Sequence, residues 1–337
     1  MKKYLLVIGA AAAMTTGLAS AGTMADVQSR GTLRCGVVSG KAGFSAPDAK
    51  GVWHGLDVAY CRALAAAVLK DPNAVTFVPT TGQTRFSALA SGEIDVLART
   101  TTWTFSRDVD LKFTFVGVNF YDGQAFMVPK SLGIGSAKQL DGATVCITSG
   151  TTTELTLSEY FKRHHLSYEP VPIDTNAEIQ QKYQAGACDV YTSDGSDLAS
   201  IRSGFKNPDD HIILPEVISK EPLGPVVRQG DDQWADVARW TLNALIDAEE
   251  LGVTKENVDQ QARTSTNPEV NRLLGKEGNF GQQLGLDSEW AKRAIAVEGN
   301  YGEIYANNIG EKTPIKLARG LNALWENGGL MYSMPFR

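Results

Sequence analysis

The stretch LDVAYCRALAAAVLKDPNAVTFVPTTGQTRFSALASGEIDVLA, residues 56–98, changes its hydrophobic period several times. Between Leu56 and Leu69 the side chains of Val58, Cys61, Leu64, Ala65 and Val68 recur at helical spacing, and VTFVPT, residues 75–80, is a short run of strand formers. TRFSALASG, residues 84–92, returns to a helical pattern, and EIDVLA, residues 93–98, closes the stretch with a second strand-like run. Just upstream, TLRCGVV at 32–38 alternates with period two. Strands that alternate with helices of about 10 to 15 residues predict βαβ units around a mostly parallel sheet, because parallel neighbours need a crossover between them.

The same rhythm starts again at GQAFMVPK, residues 123–130. It continues through the strands ATVCITSG (143–150), SYEPVPI (167–173) and CDVYTSD (188–194), with the helices TELTLSEYFKRHH (153–165), AEIQQKYQAG (177–186) and GSDLASIRS (195–203) between and after them. Two α/β units of similar build are expected. Between them lies 120–124, FYDGQ, and a second crossing marked by glycine and proline lies at 220–225, KEPLGP. The helix that follows, QWADVARWTLNALIDAEELG at 233–252, carries an apolar stripe through Val237, Ala238, Thr241, Leu242 and Leu245 that needs a core to cover, so the chain is expected to return to the first unit. The expected organisation is residues 22–119 as the first part of domain 1, 120–124 as a hinge strand, 125–219 as domain 2, 220–225 as a second hinge strand, and 226–337 as the return to domain 1 with a C-terminal extension. A hinged pair of this kind binds ligands in the cleft between the ends of its strands.

Residues 1–21 read as a secretory signal peptide: Lys2 and Lys3, an apolar run from Tyr4 to Ala13, then the small triplet Ala19-Ser20-Ala21. The next cysteine is Cys35, too far on for a lipid-modified N-terminus, and export as a free, soluble product is expected. The net charge of -6 supplies no basic stripe for nucleic acid or anionic lipid, which leaves a small molecule or a protein as partner.

The four cysteines, Cys35, Cys61, Cys146 and Cys188, would sit in an oxidising compartment, where thiols pair. Cys35 alternates inward with Leu33 and Val37, Cys61 lies on the helical stripe that faces the same core, and Cys146 and Cys188 each sit in a strand-like run of the second unit. Pairing Cys35 with Cys61 and Cys146 with Cys188 therefore closes one loop in each unit. The spacings contain no C-x-x-C, the four histidines have no ligand rhythm, and no metal or cofactor is expected. GIGSAK at 133–138 lacks the third glycine of a nucleotide fingerprint.

ARTTTWTFSRD, residues 98–108, follows the strand-like run and would line the mouth of the first unit. Thr100 and Thr102, two apart, share a side of an extended chain, and the Arg107 guanidinium can hold a carboxylate through two parallel hydrogen bonds. An ion pair of Arg107 with Asp108 or Asp110 is the competing explanation. SGTTTE, residues 149–154, joins a strand to a helix, where free N–H groups favour an anion. Thr151 with Glu154 also has the form of a capping box. Asp194 ends a strand and would serve either as the N-cap of the next helix or as the partner of an ammonium. Arg107 on one wall and Asp194 on the other would recognise a zwitterion.

SGEIDVLARTTTWTFSRD, VCITSGTTTEL and CDVYTSDGSDL resemble the three ligand motifs of periplasmic binding proteins for polar amino acids, which feed ABC importers. DDHIILPEVISKEPLGPVVRQGDDQW, GNYGEIYANNIG and ARGLNALWENGGLMY are similar to the general L-amino-acid-binding branch. The resemblance implies a two-domain fold of the type II periplasmic-binding class and no enzymatic activity. It implies a periplasmic monomer whose cleft is lined by Thr100 and Thr102, with Thr151 a further candidate ligand contact. Arg107 and the N–H of Thr152 would hold an α-carboxylate, Asp194 would hold the α-ammonium, and an inner-membrane permease would be the partner.

Members that bind basic amino acids carry an acid where Val38 stands and an aromatic ring where Lys41 stands, which argues against strict basic specificity. Lys41 is then a candidate side-chain contact that disfavours cationic ligands, and Phe44 or Trp103 could supply apolar contact. A periplasmic dehydratase of prephenate-like acids and a ligand-presenting sensory domain are the rival functions for such a fold.

Overall fold

A computed structural model describes residues 22–337, and the leader expected over 1–21 lies outside the described residues. The chain builds two five-stranded sheets with the same plan. In the first, the spatial order is Val75–Pro79, Leu33–Val37, Val96–Leu97, Val226–Arg228, Phe113–Phe115. The first three strands are parallel, and Val226–Arg228 runs antiparallel to both of its neighbours. In the second, the order is Tyr168–Ile173, Ala143–Thr148, Val190–Asp194, Gln124–Pro129, His211–Ile213, with Gln124–Pro129 as the antiparallel insert. In both sheets the antiparallel strand is the one that enters directly after a crossing between the lobes.

The two crossings pair with each other. Phe120–Asp122 and Glu221–Leu223 form an antiparallel ribbon in the register Glu221 to Asp122 and Leu223 to Phe120. The end of the first lobe's cleft strand joins them: Trp103 N donates to Pro222 O at 2.8 Å and Gly224 N to Thr101 O at 3.0 Å.

The helix Leu56–Leu69 is buried on nearly every side, with only Arg62 and Leu69 half-exposed. The stripe at Val58, Cys61, Leu64, Ala65 and Val68 is real but not the whole story. Five alanines let neighbouring helices approach the remaining faces, and Asp232–Glu250 and Trp290–Glu298 cover them. The helix Asp232–Glu250 thus returns to the first lobe. Tyr60 donates to Ala238 O at 2.9 Å, and Trp234 Nε1 donates to Asp95 O at 2.9 Å.

The second lobe is continuous in sequence, and its sheet is covered on both faces. Ala125, Met127, Cys146 and Tyr191 pack to one side against Ile179, Tyr183, Leu198 and Ile201. Phe126, Val128, Val145, Ile147 and Val190 pack to the other against Leu157, Tyr160 and Phe161. The period of two between these sets is the alternation that a pleated strand dictates.

Both disulfides form as expected, Cys35 with Cys61 and Cys146 with Cys188, at Cα separations of 6.4 and 5.6 Å, and each stays inside one lobe. Beyond Glu250 the chain wraps the first lobe with short helices and a tail. Phe336 inserts among Trp240, Phe280 and Trp290. The Asn322 amide accepts from Tyr121 N at 2.7 Å and donates to Tyr121 O at 3.0 Å, so the tail also grips the crossing ribbon. Among the described residues, no helix is long and apolar enough to cross a membrane.

Candidate functional site

A cavity lies between the lobes, at the ends of the central strands of both sheets. The first lobe lines it with Val38, Lys41, Arg85, Arg99, Thr100 and Thr102. The second lines it with Thr148, Thr151, Thr152, Thr153, Asn176, Ser193, Asp194 and Asp197. Walled by side chains of both lobes, it suits one small ligand and not a polymer. The lobes touch around it. Arg85 Nη2 donates to Gly150 O at 3.3 Å and Ser200 Oγ to Ala42 O at 2.7 Å. The loop at Gly82 comes so near the other lobe that a Cβ there would meet Ser149 O at 2.4 Å.

Thr100 lines the cavity for a different reason from the one its spacing suggests. Its φ is 42°, in the left-handed region, so residues 100–102 are not an extended run with two hydroxyls on one side. A β-branched residue is rare there and strained, and such strain persists only where the surroundings impose it. The Asp57 carboxylate does so, accepting from Thr100 N at 3.0 Å and from Asn119 Nδ2 at 3.2 Å. Burial pushes Asp57 up to about 6, against those hydrogen bonds and the nearby charges of Lys41 and Arg99.

Thr151 and Glu154 do not form a capping box. The Thr151 hydroxyl donates to Thr148 O at 2.7 Å, and Glu154 accepts from Gly150 N at 2.8 Å. A tight turn at 148–151 has captured both side chains, which leaves the first N–H groups of the helix Thr152–Arg163 without a side-chain cap on the cavity side. Asp194 likewise stands at an N-cap position without capping. Both side-chain caps that the sequence offered are therefore unrealised, at the two points where helix starts face the cleft.

Arg107 lies in a single π-helical turn, Ser106–Asp110. Its Nη1 donates to Thr102 O at 2.8 Å and its guanidinium sits 5.3 Å from the centre of the Phe86 ring, directly behind the cavity wall. It pairs with neither Asp108 nor Asp110; Asp108 takes the Trp103 indole N–H at 2.7 Å. Phe44 does not line the cavity. Its ring is 1% exposed and packs edge-on against Phe120, so burial in the core decides its role. Trp103 is on the surface, stacked on Phe115.

Lys41 reaches across the cleft. Its ammonium lies 3.8 Å from Asp194 Oδ2 and 3.5 Å from Asp197 Oδ2 and donates to Thr100 Oγ1 at 3.3 Å. Asp194 is pushed above the ordinary carboxylate range by burial, against the pull of Lys41 and with repulsion from Asp122 and Glu221.

Among the residues of the site that escaped the sequence reading are Arg85, Arg99, Asn176, Asp197 and Glu221. Arg85 is almost wholly buried, and burial together with Arg99 and Arg107 holds it well below its ordinary range. Among the described residues, Arg85, Arg99 and Arg107 have no carboxylate in salt-bridge range. Glu221, from the crossing ribbon, accepts from Thr102 Oγ1 at 2.5 Å, Thr152 Oγ1 at 3.1 Å and Ser219 Oγ at 2.7 Å, and so touches the cleft face of each lobe. Three buried atoms on the cavity residues have no hydrogen-bond partner: the donors Arg85 Nε and Asn176 Nδ2, and the acceptor Asp197 Oδ1. Buried polar atoms are normally paired, so this set matches a ligand that brings both an acceptor and a donor.

Comparison with known proteins agrees with this geometry. The glutamate/glutamine/aspartate/asparagine-binding protein BztA of Rhodobacter capsulatus is 59% identical over 328 residues, 97% of each chain. The general L-amino acid-binding periplasmic protein AapJ of Rhizobium johnstonii is 54% identical over 342 residues, the full length of both. Among solved structures, an ABC transporter periplasmic binding protein from Brucella ovis with glutathione bound superposes with a TM-score of 0.91. It is 51% identical and covers 94% of this chain and 100% of its own. The model of the bacterial extracellular solute-binding proteins, family 3, matches residues 33–257, and this chain belongs to that family.

Proposed function

We propose that the protein is the periplasmic solute-binding component of an ABC importer and that it holds a free L-amino acid in the cleft by its two α-groups. The observation that supports this most directly is the division of charge: the first lobe brings Lys41, Arg85 and Arg99 to the cavity with Arg107 behind them, and the second brings Asp194 and Asp197. A ligand with a carboxylate and an ammonium on one carbon satisfies both walls at once. Arg107 and the uncapped N–H groups at Thr152 take the carboxylate, and Asp194 with the free oxygen of Asp197 takes the ammonium. Charge-assisted bonds of this kind are the strong ones in a site shielded from water.

The ribbon of Phe120–Asp122 with Glu221–Leu223 serves as the hinge, and the protein closes on its ligand as a monomer. No chemical step is needed: the protein binds its cargo and hands it to an inner-membrane permease. The test is a thermal-shift series on the processed protein with the twenty L-amino acids and their D-isomers. A ligand at a hundred times its dissociation constant stabilises by about 2.7 kcal/mol, which such a melt resolves. The expected result is a set of L-isomers that raise the melting temperature and D-isomers that do not, since the two walls fix both α-groups. A series with no shift overturns the proposal.

A further inference from the structure

The α-groups of an amino acid use one guanidinium and one carboxylate, and the cleft holds more cations than that. Lys41 is accounted for by Asp194 and Asp197. Arg99 is not. Its side chain is 6% exposed, and it lines the cavity from the end of the strand Val96–Leu97. Its one hydrogen bond among the described residues is from Nε to Thr80 O at 3.1 Å. The Thr80 carbonyl is fixed in turn by its own residue, whose N donates to Val37 O at 2.9 Å. The guanidinium is therefore oriented by its Nε while both Nη groups remain available.

Two unpartnered donors on the same cavity, Arg85 Nε and Asn176 Nδ2, ask for an acceptor as well. Taking a charge out of water without a counter-charge is costly, and Arg85, Arg99 and Arg107 also repel one another. Burial and Arg107 bring Arg99 down to about 10, which still leaves it protonated at neutral pH.

We infer that Arg99 is a specificity-determining residue that receives a second carboxylate, on the ligand's side chain, so that dicarboxylic amino acids bind more tightly than their amides. An amide of the same size can accept from one Nη but brings no charge, and its NH₂ group would face Arg99 as donor to donor. A side-chain ammonium would meet Arg99 and Lys41 as like charges. The preference thus follows from what the pocket repels as much as from what it attracts.

The inference rests on the proposed amino-acid clamp, and the experiment keeps the two apart. Titration calorimetry of wild type, Arg99→Met and Arg107→Ala is run with L-glutamate, L-glutamine, L-aspartate and L-asparagine at fixed salt, with a melt of each variant to confirm folding. Wild type is expected to bind the better of the two acids at least tenfold tighter than its amide, and Arg99→Met to bring that ratio within threefold. Arg107→Ala is expected to weaken acid and amide together. A wild-type ratio below tenfold, or an Arg99→Met ratio that stays above threefold, overturns the role of Arg99 while leaving the clamp standing. Absence of binding of all four ligands to wild type overturns the clamp itself. If Arg99→Met fails to fold, Arg99→Lys replaces it and is expected to keep part of the preference, because the charge remains without its two-pronged geometry.

Discussion

The two lobes share one sheet plan and carry opposite chemistry. The first brings the cations Lys41, Arg85 and Arg99 to the cleft, and the second brings Asp194, Asp197 and a helix start whose N–H groups lack a side-chain cap. Each lobe alone presents charges that want a partner, and a zwitterion between them meets both demands. Both folds carry these groups on the loops and helix starts beyond the ends of their central strands, so the difference lies in the side chains and not in the scaffold. A like-for-like pair of lobes has become a two-signed receptor by a handful of residues.

The comparison is broken most severely by removing one sign. Arg107→Ala and Asp194→Asn are each expected to cost about 2 to 5 kcal/mol of amino-acid affinity, because the ligand group opposite is left buried and unpaired. Calorimetry measures it, and binding within threefold of wild type for either variant excludes that residue from the clamp. The same measurement has a pH signature. Burial raises Asp194 above the ordinary carboxylate range near about 4, and only its ionised form pairs with an ammonium. Affinity should therefore fall as pH is lowered through its raised pKa of about 8, and Asp194→Asn should show a flatter profile.

The two disulfides test whether the lobes are independent bodies. In the chain-entropy model, loops of 26 and 42 residues stabilise by about 3.5 and about 4 kcal/mol. Cys35→Ser with Cys61→Ser should lower the stability of the first lobe, and Cys146→Ser with Cys188→Ser that of the second, with ligand affinity nearly retained at low temperature. Hydrogen exchange resolved by lobe reads the effect; equal loss of protection in both lobes would show them to be one cooperative unit.

Closure is a smaller matter. At Gly82 the first lobe passes so near Ser149 O that an added Cβ would overlap it at 2.4 Å. Gly82→Ala should hold the lobes slightly apart and weaken the ligand by about 1 to 3 kcal/mol, the usual cost of overpacking, with no change in stability of the unliganded protein. An unchanged affinity would mean that closure tolerates a wider gap.

The smallest expected effect lies on the helix Asp232–Glu250, against which packs the C-terminal wrapping that only the first lobe carries. Burial, with repulsion from Glu250 and Glu269, pushes Asp247 up to about 7. A carboxyl raised in the folded state favours folding while it holds its proton, and that contribution disappears as pH rises from about 4 through 7. Asp247→Asn should therefore gain on the order of 1 kcal/mol over wild type at pH 8, allowing for the part of the group that faces water, and nothing at pH 4. Chemical denaturation at the two pH values checks the sign.

Much of this architecture can be read from the sequence because period and spacing are local. The helix at 56–69, both cysteine pairs and the return of Asp232–Glu250 all follow from which side chains face one way. In the candidate site, residue type alone singled out Asp194, which lines the cavity, and Arg107, which lies behind its wall. Arg99 ends an apolar strand and looks like its boundary, and it acquires a role only through the Thr80 carbonyl from another loop. Glu221 reads as part of a turn marked by glycine and proline, yet the ribbon carries its carboxylate to Thr102 and Thr152, more than a hundred and nearly seventy residues away. Asp197 is hidden in a helical pattern, although its place three residues after Asp194, on the same helix face, was a signal that could have been used. The capping box failed because a neighbouring carbonyl at Thr148 competed for the same hydroxyl.

The position of Val226–Arg228 also sets an order in time. A chain emerging N-terminus first offers every strand of the second lobe by Ile213, so that lobe and its disulfide can finish at once. The first lobe must wait. Until Arg228 appears, Val96–Leu97 and Phe113–Phe115 stand one strand apart with unpaired edges, and the helices that cover Leu56–Leu69 arrive later still. Open edges of this kind recruit stray strands. The molecule is thus most vulnerable to misassembly during the interval between completing its acidic half and completing its basic one, and a chain that stops short of Val226 would leave one finished lobe tethered to a sheet with a missing strand.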